Sequence, residues 1–437
     1  MLNQLFKIID KLTPAKYRWL LNHEGFRRYF ANTGWMFFGQ MFSLLASFFV
    51  GAWLARYLGP ENYGVINYAI AFACLFGFVA SLGVDSLLIR ELVKTPEKRD
   101  ELMGTSFGLK LIGGLSAFAI TAAAAFLLET APLNRTLIII FAFSSIIQAI
   151  TVISSFFQAR VEAKNNVRAQ IIAGLISAAL KIVFILAGAN LAWLMVIFTL
   201  DGAWQAIIFV LTYRAKGYRL RAWRFDRGLA RRLWHDSWLL MLSSAASFIL
   251  LKIDQVMIGQ MMGERAVGLY AAAVKFVEIW YFIPVVICAS LFPAIVNAKK
   301  TSSDLYRRRL RNFYFLMIMM AVLIAVPTVI LAPWAVNLLF GAAYAPAVLI
   351  LQIYVWSGVG LFWGWAINQQ LTAENRTRTI FILNFAAMIL NIGLNLVLIP
   401  ALGLPGAALA TLISYFAIPV LMIFFRKGRR EEGGEGE

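Results

Sequence analysis

Five stretches of this chain are long and entirely uncharged. Residues 31–55, 62–84 and 136–159 each exceed twenty positions, and 312–373 and 379–425 are each long enough for two such stretches. A helix rising about 1.5 Å per residue needs about 20 apolar residues to cross a hydrocarbon core about 30 Å thick. In lipid every backbone N–H and C=O must be satisfied within the protein, which restricts spanning segments to helices and closed β-barrels. Barrels need segments of about ten residues alternating apolar with polar, and none is present. A chain of 437 residues that is 61% hydrophobic and 14% charged also has too little polar surface to coat a water-soluble globule. The expected fold is therefore all-α and polytopic. Gly and Pro breaks divide the long runs into twelve spans at 31–56, 64–87, 106–128, 136–158, 168–188, 191–213, 237–260, 266–293, 312–334, 345–367, 379–399 and 404–425.

The formal charge of +18 has a topological pattern. Thirty-four of the 40 Lys and Arg residues lie in the N-terminal segment, alternate inter-span gaps and the tail, whereas the opposite gaps hold only Arg56, Arg135 and Arg265. Basic residues near short loops are retained on the cytoplasmic side, so both termini are expected in the cytoplasm and the protein in the cytoplasmic (inner) membrane. The pattern gives no reason to expect a nucleic-acid partner. Residues 1–30 form a basic segment whose Leu5, Phe6, Ile8, Ile9 and Leu12 have the spacing of a helix lying on a membrane surface. No cleavable signal peptide is read there. The tail 426–437 ends in EEGGEGE, a composition expected to be disordered.

The chain also repeats. A shift of 204 positions lays Gly59, Gly64, Ala69 and Phe72 onto Gly263, Gly268, Ala273 and Phe276, and a shift of 210 lays Ala163 and Asn165 onto Ala373 and Asn375. Six spans per repeat is an even number, so the halves share one orientation and are related by an axis along the membrane normal. This predicts an N-terminal six-helix bundle at 31–213, a solvated basic linker at 214–235 and a C-terminal six-helix bundle at 236–425, around a central cavity.

Away from the span ends, where Arg56, Asp85, Arg168 and also Lys110 are counted with the adjoining gaps, six ionisable residues fall inside spans: Lys181, Asp201, Lys252, Asp254, Lys275 and Glu278. Each costs roughly 2.5–3.5 kcal/mol at a helix centre unless it pairs or meets water. Counted from the nearest turns, all six lie in one layer near the bilayer midplane. Lys275 and Glu278 share a helix face, whereas Lys252 and Asp254 point in different directions, so one of them can face a cavity while the other meets a neighbouring helix. Lys181 with Asp201 and Asp254 with Lys275 are the expected pairs. A hydrated cleft carrying these groups suits a polar cargo, with ammonium groups for phosphate and carboxylates for a proton or Na⁺. Asp85 with Arg90, and Arg56 with Glu61, are candidate gate pairs at the two ends.

Catalytic and metal-binding signals are missing. There is no phosphate-cradling Gly-rich loop followed by Lys and Ser or Thr, no Cys/His metal spacing, and little charge in the outer loops. Cys74 and Cys288 fall inside spans and read as small buried hydrophobes. These features favour a carrier over an enzyme and call for no resident cofactor.

Residues LARYLGPENYG at 54–64, LIREL at 88–92, FQARVEAKN at 157–165, LKIDQVMIG at 251–259, VGLYAAAVK at 267–275 and GLPGAALATLIS at 403–414 resemble polysaccharide flippases. These are the O-antigen, Wzx-type branch of the multidrug, oligosaccharidyl-lipid and polysaccharide exporter superfamily. The resemblance covers nearly the whole chain. It implies two six-helix bundles around a cationic cavity and ion-gradient-driven transfer of an undecaprenyl-pyrophosphate-linked glycan to the outer leaflet. The implied partners are membrane lipid, that glycan and other polysaccharide assembly proteins. Substrate binding would fall to Lys252, Lys275 and Lys181, although three acids in the same layer bring its net charge near zero. The competing readings are a multidrug or small organic cation exporter on the same scaffold, a major-facilitator-type carrier, and a membrane glycan polymerase or ligase.

Overall fold

The computed structural model describes residues 24–374 and 376–432. The surface helix expected within 1–30 lies almost wholly outside the described residues. At the other end, helix continues to Glu432, further than the expected disorder of the tail allows; residues 433–437 lie outside the described set.

The described residues are nearly all helical and contain no strand. Eleven helical stretches are long and apolar enough to cross a membrane. The first contains Gly59 at φ 72°, ψ 170°, a backbone no helix adopts, so it is two rods and the total is twelve. We label these α1 (24–58), α2 (60–94), α3 (Arg99–Leu128), α4 (Pro132–Ala159), α5 (Ala163–Leu186), α6 (Leu191–Ala215), α7 (Arg227–Met262), α8 (264–301), α9 (Ser303–Phe340), α10 (Ala347–Ala373), α11 (Thr377–Leu402) and α12 (Leu404–Glu432). They form two six-helix bundles around a central cavity, with lipid-length helices whose outward side chains are apolar. Leu127 is 84% exposed and Ile330 71% exposed, an arrangement suited only to an apolar solvent.

Several helices differ from uniform rods. α2 is interrupted at 75–76 and again at Leu82 and Gly83, both with positive φ, and α8 tightens into a 3₁₀ turn at Ile279–Tyr281. α7 begins ten residues before its expected start because Asp226 caps it, its carboxylate accepting the Leu229 amide. The basic segment between α6 and α7 is consequently shorter than 214–235, and it is packed against α3. The Arg224 amide donates to the Asp100 carbonyl at 3.1 Å and the Asp226 amide to the Thr105 hydroxyl at 3.0 Å. Gly104 permits this approach: a Cβ there would lie 2.4 Å from the Arg224 carbonyl oxygen.

The repeat read from the sequence has a physical counterpart. Gly263 joins α7 to α8 at φ 86°, ψ 175°, nearly the conformation of Gly59 between α1 and α2. A Cβ on Gly64 would sit 1.7 Å from the Glu264 carbonyl oxygen, and one on Gly268 would sit 1.8 Å from the Pro60 carbonyl oxygen. Residues 60 and 64 are related to 264 and 268 by the same 204-residue shift, so α2 and α8 cross through reciprocal contacts that only glycine admits.

Candidate functional site

A cavity of about 460 Å³ lies between the two halves, lined by α1, α2, α5 and α6 on one side and α7 and α8 on the other. Along α1 its wall runs from Phe42 to Leu54, about 18 Å of helix. Five of the six intramembrane charges line it: Lys181, Asp201, Lys252, Lys275 and Glu278.

Four of these five are paired. Lys181 Nζ donates to Asp201 Oδ2 at 2.7 Å and lies 4.0 Å from the Phe198 ring centroid, while the Ser177 hydroxyl donates to the other Asp201 oxygen. Lys252 Nζ donates to Glu278 Oε1 at 3.1 Å. Lys275 takes part in none of the ion pairs among the described residues. Its ammonium is 3.5 Å from the Ser47 hydroxyl, and its stem crosses Gly51 so closely that a Cβ there would be 2.8 Å from Lys275 Cε. The cavity thus holds three ammonium groups and two carboxylates, a small positive excess centred on Lys275.

Asp254 corrects the expected pairing with Lys275. It points away from the cavity into the second bundle, where it is 3% exposed. Its Oδ2 accepts from the Tyr270 hydroxyl at 2.8 Å and from the Thr411 hydroxyl, and its Oδ1 accepts from Asn395 Nδ2 at 2.7 Å. Asn395 also donates to Asn391 Oδ1 at 3.0 Å, yet Asn395 Oδ1 and Asn391 Nδ2 remain without partners. The helical offset between residues 252 and 254 explains the outcome: Lys252 takes the cavity face, so Asp254 must face α11 and α12.

Neither expected gate pair forms. Asp85 instead binds Lys110, whose ammonium lies 2.8 and 2.9 Å from the two carboxylate oxygens and 2.8 Å from the Thr151 hydroxyl. Lys110 is only 1% exposed, so it belongs to the bundle interior and not to the basic turn. Arg90 reaches across to Asp236 on α7 at 3.9 Å, and Arg232 returns to Glu91 at 3.5 Å. Arg56 donates to the Leu338 carbonyl of α9 at 3.2 Å and does not pair with Glu61.

Both ends of the molecule carry contacts between the halves, but of different kinds. At the end bearing the basic turns they include the two long ion pairs of Arg90 and Arg232, with Gly83 packed against the backbone of Ser237 and Met241. At the opposite end the Gly64–Gly268 crossing is joined by Asn134 donating to Glu264 at 2.9 Å, Gln260 donating to Tyr68, and Tyr344 donating to the Ala55 carbonyl at 2.8 Å. That end is tightly closed below the cavity.

Sequence reading missed Lys110, Tyr270, Asn391, Asn395 and Thr411. One signal was available: Asn391 and Asn395 are four apart in an otherwise apolar span, placing two amides on one helix face.

A sequence profile for the family described as polysaccharide biosynthesis protein matches residues 29–299, more than half of the chain. The chain belongs to this family. Two solved structures illustrate the fold of this chain. An inward-facing multidrug resistance MATE family transporter of the MOP superfamily superposes with a TM-score of 0.74 at 15% identity, covering 90% of this chain and 96% of the other. The lipid II flippase MurJ in an inward closed conformation gives 0.69 at 16% identity, covering 90% and 87%. The uncharacterized membrane protein MJ1068 of Methanocaldococcus jannaschii is 27% identical over 213 residues, 46% of this chain. The match spans 40% of the length of that curated relative. Family and fold together describe a multi-pass membrane protein of the polysaccharide biosynthesis family, with the fold also seen in the MATE transporter and the MurJ flippase.

Proposed function

We propose that this protein carries a polyprenyl-pyrophosphate-linked oligosaccharide across the cytoplasmic membrane for surface polysaccharide biosynthesis, by ion-coupled alternating access. The single observation that carries the reading is Lys275, an ammonium in the central cavity with no carboxylate partner and only a serine hydroxyl beside it. A pyrophosphate supplies the missing charge-assisted partner, and Lys252 is near enough in the same cavity to join it when Glu278 lets go. Lys181, held by Asp201, lines the opposite wall as a further cationic contact. The pyrophosphate and sugars need this polar chamber, whereas the polyprenyl chain stays in lipid, so the cleft opens sideways between the halves.

The positive-inside rule assigns the basic end and both termini to the cytoplasm. The state described here is then closed toward the outside by the Gly64–Gly268 crossing, with the cavity extending toward the cytoplasm. Residues 31–213 and 236–425 act as the two moving bodies, joined by the basic segment within 214–235. The gate contacts are those of Arg90 and Asp236 at one end and of Arg56 at the other, and Asp85 serves as the anchor of Lys110 beneath the first. Ion coupling falls to Asp254, since a buried carboxylate held only by neutral donors accepts a proton or Na⁺ without first losing an ammonium partner. Asp201 and Glu278 act by charge pairing. The partners are membrane lipid, the glycan lipid and other polysaccharide assembly proteins, and the protein is not itself an enzyme.

The test is genetic. A deletion strain restored with the native protein, Lys275→Ala or Asp254→Asn is compared for surface glycan and for lipid-linked precursor. Surface glycan falls in both variants while precursor accumulates on the inner leaflet. Unchanged glycan together with lost resistance to organic cations contradicts this reading and supports the exporter.

A further inference from the structure

Three buried hydroxyl oxygens of the second bundle, Tyr281 Oη, Ser357 Oγ and Tyr415 Oη, make no hydrogen bond of normal geometry among the described residues. Ser357 and Tyr415 are among the most completely buried polar side chains of the protein. A buried hydroxyl without a partner costs roughly 1–3 kcal/mol, so three close together point to an internal occupant.

Their placement is specific. Tyr281 closes the 3₁₀ turn Ile279–Tyr281 that interrupts α8, and Ser357 opens the second part of α10 just after the break at 355–356. The two helix breaks face each other across a slot of about 10 Å³, room for about one water molecule, with Trp280 and Tyr281 as its polar lining, Val355 and Gly358 on the facing break, and Ser357 adjoining it in sequence. Trp280, whose Nε1 also has no partner among the described residues, lines the same slot. Tyr281 packs against the apolar cluster that contains Tyr415, and the Tyr354 and Ser357 hydroxyls are the polar neighbours of its own. The Tyr354 ring stacks edge-on against Tyr270 at 5.8 Å, and the Tyr270 hydroxyl reaches both Asp254 and Thr411. At the other extreme, Tyr281 lies one helical turn from Glu278, which lines the cavity.

We propose that these hydroxyls, bridged by water, form an internal proton path from Glu278 at the cavity to Asp254 in the second bundle. This deepens the ion-coupling part of the proposed function and rests on it. Each hydroxyl both donates and accepts. A proton arriving from cavity water on Glu278 passes to bridging water and the Tyr281 oxygen as that hydroxyl releases its own proton toward Ser357. The same exchange repeats through water, Tyr415 and Tyr270 until the last hydroxyl delivers a proton to Asp254 Oδ2. Only O–H bonds form and break, every hydroxyl regains one hydrogen, and the net change is one proton moved. Asp254 is faced by Tyr270 from α8, by Asn391 and Asn395 from α11, and by Thr411 and Tyr415 from α12, with no cation among them; Lys252 is two residues away on its own helix. Glu278 is faced by Lys252 from α7, by Cys74 and Tyr63 from α2 and by Tyr415 from α12, with Lys275 and Tyr281 on its own helix; Lys181 and Asp201 line the same cavity.

The experiment follows the carboxylic C=O infrared band after a pH jump, using the full chain in lipid nanodiscs. The band absent from Asp254→Asn is that of Asp254. Tyr281→Phe and Ser357→Ala should each slow its appearance by about tenfold or more while leaving its final amplitude and midpoint pH unchanged. An unchanged rate in both variants, or an altered midpoint without an altered rate, overturns the path and leaves Asp254 as the coupling acid. A C=O band that survives intact in Asp254→Asn overturns the coupling role of Asp254 and the path with it.

Discussion

In the first half of the molecule each interior carboxylate of the charge layer and its flank has an ammonium at hydrogen-bond distance: Asp85 holds Lys110 and Asp201 holds Lys181. In the second half Glu278 is likewise paired with Lys252, but Asp254 is held by a tyrosine, a threonine and an asparagine, with no cation. Burying an ion costs several kcal/mol, and an ion pair offsets that cost permanently whereas neutral donors offset only part of it. The first arrangement fixes helices in place. The second leaves a carboxylate without a fixed counter-charge, as the proposed ion coupling requires.

The largest expected effect breaks this contrast outright. Asp254→Asn abolishes surface glycan, to the level of the deletion strain, whereas Asp201→Asn keeps a hydrogen bond to Lys181 and retains part of the activity. Equal losses from both substitutions would erase the distinction between the halves.

The next effect concerns their joint. Gly64→Ala or Gly268→Ala forces a Cβ against a carbonyl oxygen at the α2–α8 crossing and destabilises the closed end by about 1–3 kcal/mol. The ratio of closed to open molecules should fall roughly 5- to 150-fold. Spin labels at positions 61 and 265, both exposed, report it as loss of the short-distance population. An unaltered distance distribution would remove the crossing from the gate.

A stability effect follows. Asp85→Ala leaves the Lys110 ammonium buried without a counter-charge. The loss should be about 3 kcal/mol, the low end of the range for broken buried pairs, because Asp85 itself is 44% exposed. A lowered thermal midpoint that Lys110→Met restores in the double variant would confirm the pairing; an unchanged midpoint would contradict it. The smallest effect belongs to the exposed pairs of the basic end. Arg90→Ala or Arg232→Ala should shift the balance between states by no more than about 1 kcal/mol, and a larger shift would make these ion pairs a principal gate.

Much of the architecture was legible in the sequence because lipid imposes a simple rule. Uncharged runs longer than twenty residues can only be spans, and alternating basic gaps order them. The charge layer was legible from counting residues inward from turns. Its wiring was less so. The offset of Lys252 from Asp254 showed that the two diverge, but which faced the cavity depended on the position of α8, α11 and α12. Lys110 was misplaced because a lysine near a span end ordinarily reaches the headgroups; here Asp85, Thr151 and the break at Gly83 draw it inward. The nest around Asp254 was hidden for another reason. Its donors come from residues 270, 395 and 411, and nothing local in the chain brings these together. The helix break at 279–281 had a local signal in Pro284, whose ring removes the helical bond to the residue 280 carbonyl, whereas the break at 355–356 carries no proline.

The most direct measurement of the central claim is leaflet transfer in proteoliposomes. A fluorescent polyprenyl-pyrophosphate oligosaccharide is placed in one leaflet with an ion gradient imposed, and a membrane-impermeant quencher reports its arrival in the other. Native protein should move the lipid in a gradient-dependent manner, Lys275→Ala should bind and move it poorly, and Asp254→Asn should lose the response to the gradient. Movement of an organic cation by native protein, with the glycan lipid remaining where it was placed, would contradict the account.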